Sequence, residues 1–315
     1  MPTPVLTPRE PASLKPHRIK YIIRRMGEPR CLLMSIVGRF WWMRQLALHL
    51  RTHWRRWQGW LRPEKPAALS SAFQGNTNRK ALLAQLRRDG VAAGLQLSPE
   101  HLTELLDFAE NTCVYGDRLT RYRFQPSERR AAEQLAGKPF QQAQYPIEDL
   151  ESLPSVQALI EDPLVRGLVR DYFGHDGVLS ATRMFWSYPI HDSGYTYDPL
   201  LNSTHYHYDL DDYGCLRVFV YLTDVDESAG PHRYIRGSHR KKPLWQMLIA
   251  SHSLRSEAEL EKHYATEDVV TVTAPAGTVF VEDAAIFHEA TRPATKPRLL
   301  MQLTFVSKDF ALHVA

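Results

Sequence analysis

The apolar positions of this chain change rhythm part-way along it. Up to about residue 175 they recur at helical spacing, and beyond it they fall in short runs with the character of strands. Leu82, Leu83 and Leu86 lie on one stripe and predict a helix over 79–89. Ser98-Pro99-Glu100 combines an N-cap residue, a proline at the first helical position and an early acid. That helix runs to about Glu110 and buries Leu102, Leu105, Leu106 and Phe108. Ser127 is placed to cap a shorter helix ending at Ala136. From Ser155 the stripe Val156, Leu159, Ile160, Leu164, Leu168 and Val169 predicts a longer helix. Pro163 interrupts or kinks it, because proline lacks the N–H of the helical ladder, and Gly174 is its stop.

From about Val178 the runs 179–188, 203–209, 215–222, 232–236, 269–273, 278–281, 286–290 and 298–306 read as strands, with Gly, Pro, Asp and Ser at most of the breaks. Eight short strands fit a double-sheet jelly roll, with a helical insertion at about 243–264 between the fourth and the fifth. The predicted fold is therefore α+β with a mainly β core. It is a double-stranded β-helix (jelly roll, cupin-like) with flanking helices and a helical, basic N-terminal extension. Two domains are expected: the extension at 1–66, and a domain at 67–315 with a helical part at 79–174 and a jelly-roll core at 176–308. Pro63-Glu64-Lys65-Pro66 serves as the linker.

Composition alters this picture at one end only. The chain is 315 residues long and carries a net charge of +4, yet residues 1–62 hold 13 Lys or Arg against two acids, a local charge of +11. Five of the seven tryptophans (Trp41, Trp42, Trp54, Trp57 and Trp60) lie in the same segment. In one reading these aromatics pack a helical layer onto the domain and the arginines are solvated outside. In another, basic charge mixed with tryptophan suits peripheral contact with an anionic membrane. Nucleic acid is not an expected partner. The most apolar run, 31–37, is too short to span a bilayer. Nothing resembles a secretory signal, and Cys31, Cys113 and Cys215 are widely spaced in no pairing or zinc pattern. The expectation is a reducing, cytoplasmic location with possible peripheral membrane association.

The chemistry concentrates in His205-Tyr206-His207-Tyr208-Asp209. Side chains at i and i+2 of an extended strand share a face, so His207 and Asp209 can grip one ion. A distant His288 completes a set of two imidazoles and one carboxylate, which leaves metal positions open for chemistry and points to a non-haem iron oxygenase. Arg298 offers a planar fork for an acidic cosubstrate. His205 shares the ligand face if the strand is regular, in a structural role or beside the ligands. Arg292 precedes Pro293 and belongs to a loop, and His239 lies in the turn Gly237-Ser238-His239. Tyr206, Tyr208, Phe185, Trp186 and Tyr188 are aromatic candidates near the site, about half of which must face away.

Between the two ligand segments stand Tyr221-Leu222-Thr223-Asp224-Val225-Asp226, Gly230-Pro231 and Arg236-Gly237-Ser238-His239-Arg240. With the ligand set, this block resembles the phytanoyl-CoA dioxygenase family of iron(II)/2-oxoglutarate oxygenases over roughly 176–308. The resemblance implies that His207, Asp209 and His288 bind iron and that Arg298 meets the distal carboxylate of 2-oxoglutarate. The family often has Gly-Ser after its distal histidine. Here Glu289-Ala290-Thr291 follows, and Thr291 is the candidate to supply the hydroxyl. Retention of Asp209 argues for hydroxylation and against halogenation, since halogenating relatives replace that carboxylate with a small residue. The implied activity is an Fe(II)- and 2-oxoglutarate-dependent dioxygenase that uses O2, forms succinate and CO2, and hydroxylates a C–H bond of a small-molecule, acyl or lipid-like substrate. The rivals are a catalytically silent binding or scaffold protein on the same fold, and a zinc hydrolase, for which no general-base glutamate is evident. The insertion at 243–264 and the loop at 189–202 are expected to shape the substrate pocket.

Overall fold

The computed structural model describes residues 29–58, 71–75, 77–192, 194–198, 201, 203–248 and 255–308. Trp60, the linker at 63–66, residues 1–28 of the basic segment and residues 249–254 of the insertion lie outside them.

Eleven strands are present among the described residues: β1 Val91–Gln96, β2 Val114–Gly116, β3 Arg123–Phe124, β4 Gln142–Gln144, β5 Val178–Ser187, β6 Cys215–Tyr221, β7 His232–Ile235, β8 Val269–Val272, β9 Thr278–Asp283, β10 His288–Ala290 and β11 Arg298–Val306. Eight form one sheet in the order β1-β9-β6-β11-β5-β4-β2-β3, and three form a second in the order β10-β7-β8. Neighbouring strands are antiparallel. The chain is a jelly roll flanked by helices, as its runs of apolar residues predict.

Alternation along the central strands assigns the two faces of the large sheet. Val218 and Val220 of β6, Val279 and Val281 of β9, and Leu299, Met301, Leu303 and Phe305 of β11 join the main core cluster. There they meet Leu82 and Leu86 of helix Arg79–Asp89, Leu105 of Pro99–Asn111, Leu159 of Pro154–Glu161, and Leu168 and Phe173 of Pro163–Phe173. The opposite residues Phe219, Tyr221, Phe280 and Leu300 turn toward the small sheet, where Tyr234 and Ile286 meet them in a second cluster.

Local chemistry explains the helix ends. Asn78 accepts hydrogen bonds from the N–H groups of Lys80 and Ala81, and Gly90, at φ 83°, closes that helix in the left-handed region. A Cβ on Gly90 would lie 2.7 Å from both His239 Nδ1 and Ile286 Cδ1, so the small residue also permits a close approach. The long helix from Ser155 is two helices. Asp162 separates them, and its carboxylate accepts from the N–H groups of Leu164 and Val165 just after Pro163. The expected caps at Ser98 and Ser127 are not made: the Ser98 side chain makes no capping bond, and Ser127 sits inside a 3-10 turn over Pro126–Glu128.

The sequence departs from the structure most in the stretch 79–174, which is not purely helical. It supplies β1 to β4, and β1 and β3 form the two edges of the large sheet. Val91–Gln96 carries a glycine and no alternation, and β2 to β4 are only two or three residues long, so partner strands rather than local pattern determine them. The predicted strand at 203–209 shrinks to isolated bridges, Tyr206 to Arg255 and His207 to His288. The insertion is helical over Leu244–Leu248 and Glu257–Leu260.

The basic segment contributes helices Pro29–Val37 and Trp41–Trp57. Cys31 and Met34 pack with Tyr206, Tyr208, Leu210 and Phe287, directly behind the His207 segment. On the longer helix it is Arg44, Leu48 and Thr52 that are buried, whereas Trp42, Leu46, Leu50, Trp54 and Trp57 are exposed. The sequence reading in which aromatics dock and arginines are solvated is therefore reversed. Arginines reach inward because the domain offers them acceptors: Asp283 and the His239 carbonyl for Arg44, Asp212 for Arg51, and the carbonyls of Asp176 and Ser307 for Arg55.

Candidate metal centre

His207 and His288 exchange backbone hydrogen bonds, N–H to carbonyl, at 3.0 and 2.9 Å. Such a pair places two side chains next to each other on one face. Asp209 lies two residues on, and its N–H is tied to the Ala284 carbonyl at 2.8 Å. His207, Asp209 and His288 are all buried, and each offers one ligand atom within 4.8 Å of the others. The Asp209 Oδ2 atom is 3.8 Å from His207 Nε2 and 3.6 Å from His288 Nε2.

Both imidazoles are held the same way. Each Nδ1–H donates to the carbonyl of the residue two before it, His207 to His205 at 2.9 Å and His288 to Ile286 at 3.0 Å. That bond fixes the tautomer and leaves Nε2, with its lone pair, turned toward the Asp209 carboxylate. Burial, with His288 alongside, pushes the His207 imidazole down to about 3, so it is neutral, as a metal ligand must be. Two imidazoles and one carboxylate within reach of a common point suit a divalent first-row metal.

Three further groups border this centre, and sequence reasoning missed them. Arg217 of β6 donates from Nη1 to Asp209 Oδ2 at 2.6 Å and lies 3.3 Å from His288 Nε2. Burial opposes its charge, but Asp209, Cys215 and Asp211 together raise its proton affinity above the ordinary arginine value. Glu282 of β9 stands directly across from Arg217 in the sheet register. Its Oε2 meets His232 Nε2 at 2.7 Å, its Oε1 is 3.5 Å from His288 Nδ1, and burial pushes its carboxyl up to about 7. The His232 ring stacks on His288 with centroids 5.7 Å apart. One signal existed: a charged residue on the inward face of a mostly apolar strand, as Arg217 is in Cys215–Tyr221 and Glu282 in Thr278–Asp283.

Arg298 opens β11 and is buried. Its guanidinium donates to the Gly230 carbonyl and to Ser187 Oγ, and its Nε has no hydrogen-bond partner. Among the described residues no carboxylate pairs with it, and burial lowers its proton affinity. It interacts with Tyr221, whose hydroxyl accepts from the His232 N–H at 2.9 Å, so Tyr221 and His232 connect Arg298 to His288. Thr291 directs its hydroxyl to the Pro231 carbonyl at 2.8 Å, so Thr291 and Arg298 both grip the Gly230-Pro231 turn.

The sequence profile of the phytanoyl-CoA dioxygenase family matches residues 86–298, more than half of the chain. The chain belongs to this family. It is a family of iron(II)/2-oxoglutarate oxygenases, and its match here runs from the helix before β1 to Arg298. No curated protein matches the chain by sequence. Among solved structures, AviO1 from Streptomyces viridochromogenes Tue57 is similar at 17% identity and a TM-score of 0.46, over 77% of this chain and 100% of that one. HygX from Streptomyces hygroscopicus, solved with nickel and 2-oxoglutarate, is similar at 15% identity and a TM-score of 0.49, over 73% and 87%. SnoN, a non-heme alpha-ketoglutarate-dependent epimerase of nogalamycin biosynthesis, is similar at 17% identity and a TM-score of 0.46, over 73% and 80%.

The remaining candidates fall around the centre or away from it. His205 lends its carbonyl to His207, while its half-buried ring has no partner for Nδ1. Arg292 lies in a loop over the Tyr197 ring, at 4.6 Å. His239 is buried behind Gly90 and faces the Arg87 carbonyl, and burial pushes its imidazole down to about 4. Of the aromatics, Phe185 points into the sandwich, Trp186 and Tyr188 pack on the helical side, and Tyr206 and Tyr208 turn toward the N-terminal helix.

Proposed function

We propose that the protein is an Fe(II)- and 2-oxoglutarate-dependent dioxygenase that hydroxylates a C–H bond of a small-molecule, acyl or lipid-like substrate. The observation that carries this reading is the convergence of His207 Nε2, His288 Nε2 and the Asp209 carboxylate, with both Nδ1 atoms tied back to carbonyls. His207, Asp209 and His288 would hold the iron. When bound there, iron(II) with 2-oxoglutarate and O2 would supply the oxidising power, with one oxygen atom passing to succinate, the other to the substrate, and CO2 released.

The chain's own residues have other tasks. Arg298, a buried cation with no carboxylate partner among the described residues, is suited to the distal carboxylate of 2-oxoglutarate, because a guanidinium fork matches a carboxylate in two parallel bonds. Thr291 holds the turn against which Arg298 is braced, which supports it as part of the cosubstrate site through position rather than direct contact. Phe219, Phe280, Tyr221 and Leu300 surround this region with apolar surface and keep water from it. Among the described residues no helix is long and apolar enough to cross a membrane. A cytoplasmic location with peripheral membrane contact is part of this proposal.

The test is succinate formation from 2-oxoglutarate in the presence of Fe(II) and O2. Activity should vanish in His207→Ala and in Asp209→Ala, and wild-type turnover in both would remove the ligand assignment. Product mass then separates the outcomes: a gain of one oxygen supports hydroxylation, and an isomer or a cyclised product at unchanged or reduced mass overturns it.

A further inference from the structure

Helix Trp41–Trp57 is amphipathic, but its apolar stripe faces away from the protein. Trp42, Leu46, Leu50 and Trp54 recur every fourth residue and so lie in one row, which Trp57 extends. Trp42 and Leu50 are each 59% exposed, Trp54 is 58% exposed and Trp57 is 78% exposed. Leu33 and Ile36 of helix Pro29–Val37 are exposed as well. Arg39, between the two helices, donates to the carbonyls of Met247 and Leu248, which sets the insertion segment bearing the exposed Leu244 and Leu248 beside the junction of the two helices. A monomer rarely leaves so many large apolar side chains of neighbouring elements in water.

Charge identifies what covers this surface. No acidic residue occurs between Glu28 and Glu64, while seven arginines do. Arg44, Arg51 and Arg55 are engaged with the domain, whereas Arg30 and Arg56 are exposed around the stripe. Residues 1–28 add Arg9, Lys15, Arg18, Lys20, Arg24 and Arg25 against two acids. A second copy would set one cationic surface against another, which Coulomb repulsion opposes. An anionic phospholipid surface complements both features: its acyl boundary receives leucine and tryptophan, and its headgroups receive the arginines.

We propose that helices Pro29–Val37 and Trp41–Trp57 form a docking face on which the protein lies on an anionic bilayer, with helix Trp41–Trp57 parallel to the surface. The protein itself covers the polar side of that helix, so docking needs no unfolding. The metal centre stays close to the bilayer, since Cys31 and Met34 pack against Tyr206 and Tyr208, which alternate with the ligand residues. This inference rests on the peripheral membrane contact proposed above and deepens it, but it is independent of the proposed reaction, and its failure would leave that reaction standing.

The experiment uses the full chain with vesicles of 30% phosphatidylglycerol in phosphatidylcholine, compared with pure phosphatidylcholine. Binding should be at least about tenfold tighter to the anionic vesicles and should weaken as salt is raised. Brominated lipid should quench tryptophan fluorescence in the unmodified protein. Leu46→Gln/Leu50→Gln should reduce vesicle binding by about tenfold or more while leaving the thermal midpoint unchanged, because both side chains are exposed in the folded protein. Equal affinity for the two vesicle types, absence of quenching, or a variant that binds like wild type would each overturn the proposal. A lipid-free dimer that Leu46→Gln/Leu50→Gln splits, together with no vesicle binding, would assign the face to a second copy instead.

Discussion

Arg44 is the residue to remove if the placement of the N-terminal helices is to be tested at its root. Its Nη1 lies 3.1 Å from Asp283 Oδ1, both side chains are buried, and its Nη2 donates to the His239 carbonyl at 3.0 Å. Burial alone would raise the Asp283 carboxyl. Arg44 and His239, with hydrogen bonds from the Tyr172 hydroxyl and the Ala285 N–H, more than reverse this and hold it at about 2. Removing one partner of a buried pair costs about 3–5 kcal/mol, because the other is left as an uncompensated charge. Tyr172 and Ala285 still bond Asp283, so Arg44→Met should lie at the low end, about 3 kcal/mol, by urea denaturation at pH 7. In wild type the folded carboxyl titrates below its unfolded value of about 4, so its contribution is complete above pH 4 and fades as pH falls toward 2. In Arg44→Met the carboxyl loses its cation and its proton affinity rises above the unfolded value. Protonation then relieves the strain, and the deficit against wild type should shrink as pH is lowered from 7 toward 4. Asp283→Asn should cost Arg44→Met less than it costs wild type, with a coupling above about 1 kcal/mol. A deficit below about 1 kcal/mol at pH 7, or one that does not change with pH, would refute the pairing and with it the inward orientation of Arg44.

Other positions give sharper, smaller tests. Arg298→Gln should raise the KM for 2-oxoglutarate by about 10–100-fold, with metal affinity unchanged by calorimetry, because it removes a charge-assisted bond to the cosubstrate and touches no candidate ligand. Gly90→Ala should lower the thermal midpoint by roughly 5–10 °C, since a residue at φ 83° must also push a Cβ against His239 and Ile286. Lys296→Ala removes an exposed ion pair to Asp226 and should leave the thermal midpoint unchanged, as a control for surface charge.

The pairing of His207 with Asp209 was legible in the sequence because it is local. A spacing of i and i+2 puts His207 and Asp209 on one side even though the segment is only a bridge and not a full strand. The helix over Arg79–Asp89, the break at Pro163 and the strands from β5 onward were legible for the same reason: proline chemistry and apolar periodicity act within a few residues. β1 to β4 were not. A run such as Gln142–Gln144 has no strand character of its own and takes its conformation from β5, to which it pairs.

Charge at inward positions is the other part that periodicity could not reach. An apolar stripe shows that a helix has two faces, and hydrophobic burial then names the apolar one as hidden. Helix Trp41–Trp57 breaks that rule because its arginines find acceptors on the domain that are not adjacent in sequence: Asp283 is 239 residues from Arg44 and Asp212 is 161 residues from Arg51. Arg217 and Glu282 obey the same logic inside the sandwich, where sheet register sets them opposite each other beside Asp209 and His288. A buried charge is tolerated only where a partner meets it, and that partner is fixed by topology rather than by neighbours in the chain. Where a charged residue interrupts an apolar run in this protein, the informative question is which distant group receives it. At Arg44 the answer sets which face of the helix meets solvent, and at Arg217 it leads to the candidate metal centre.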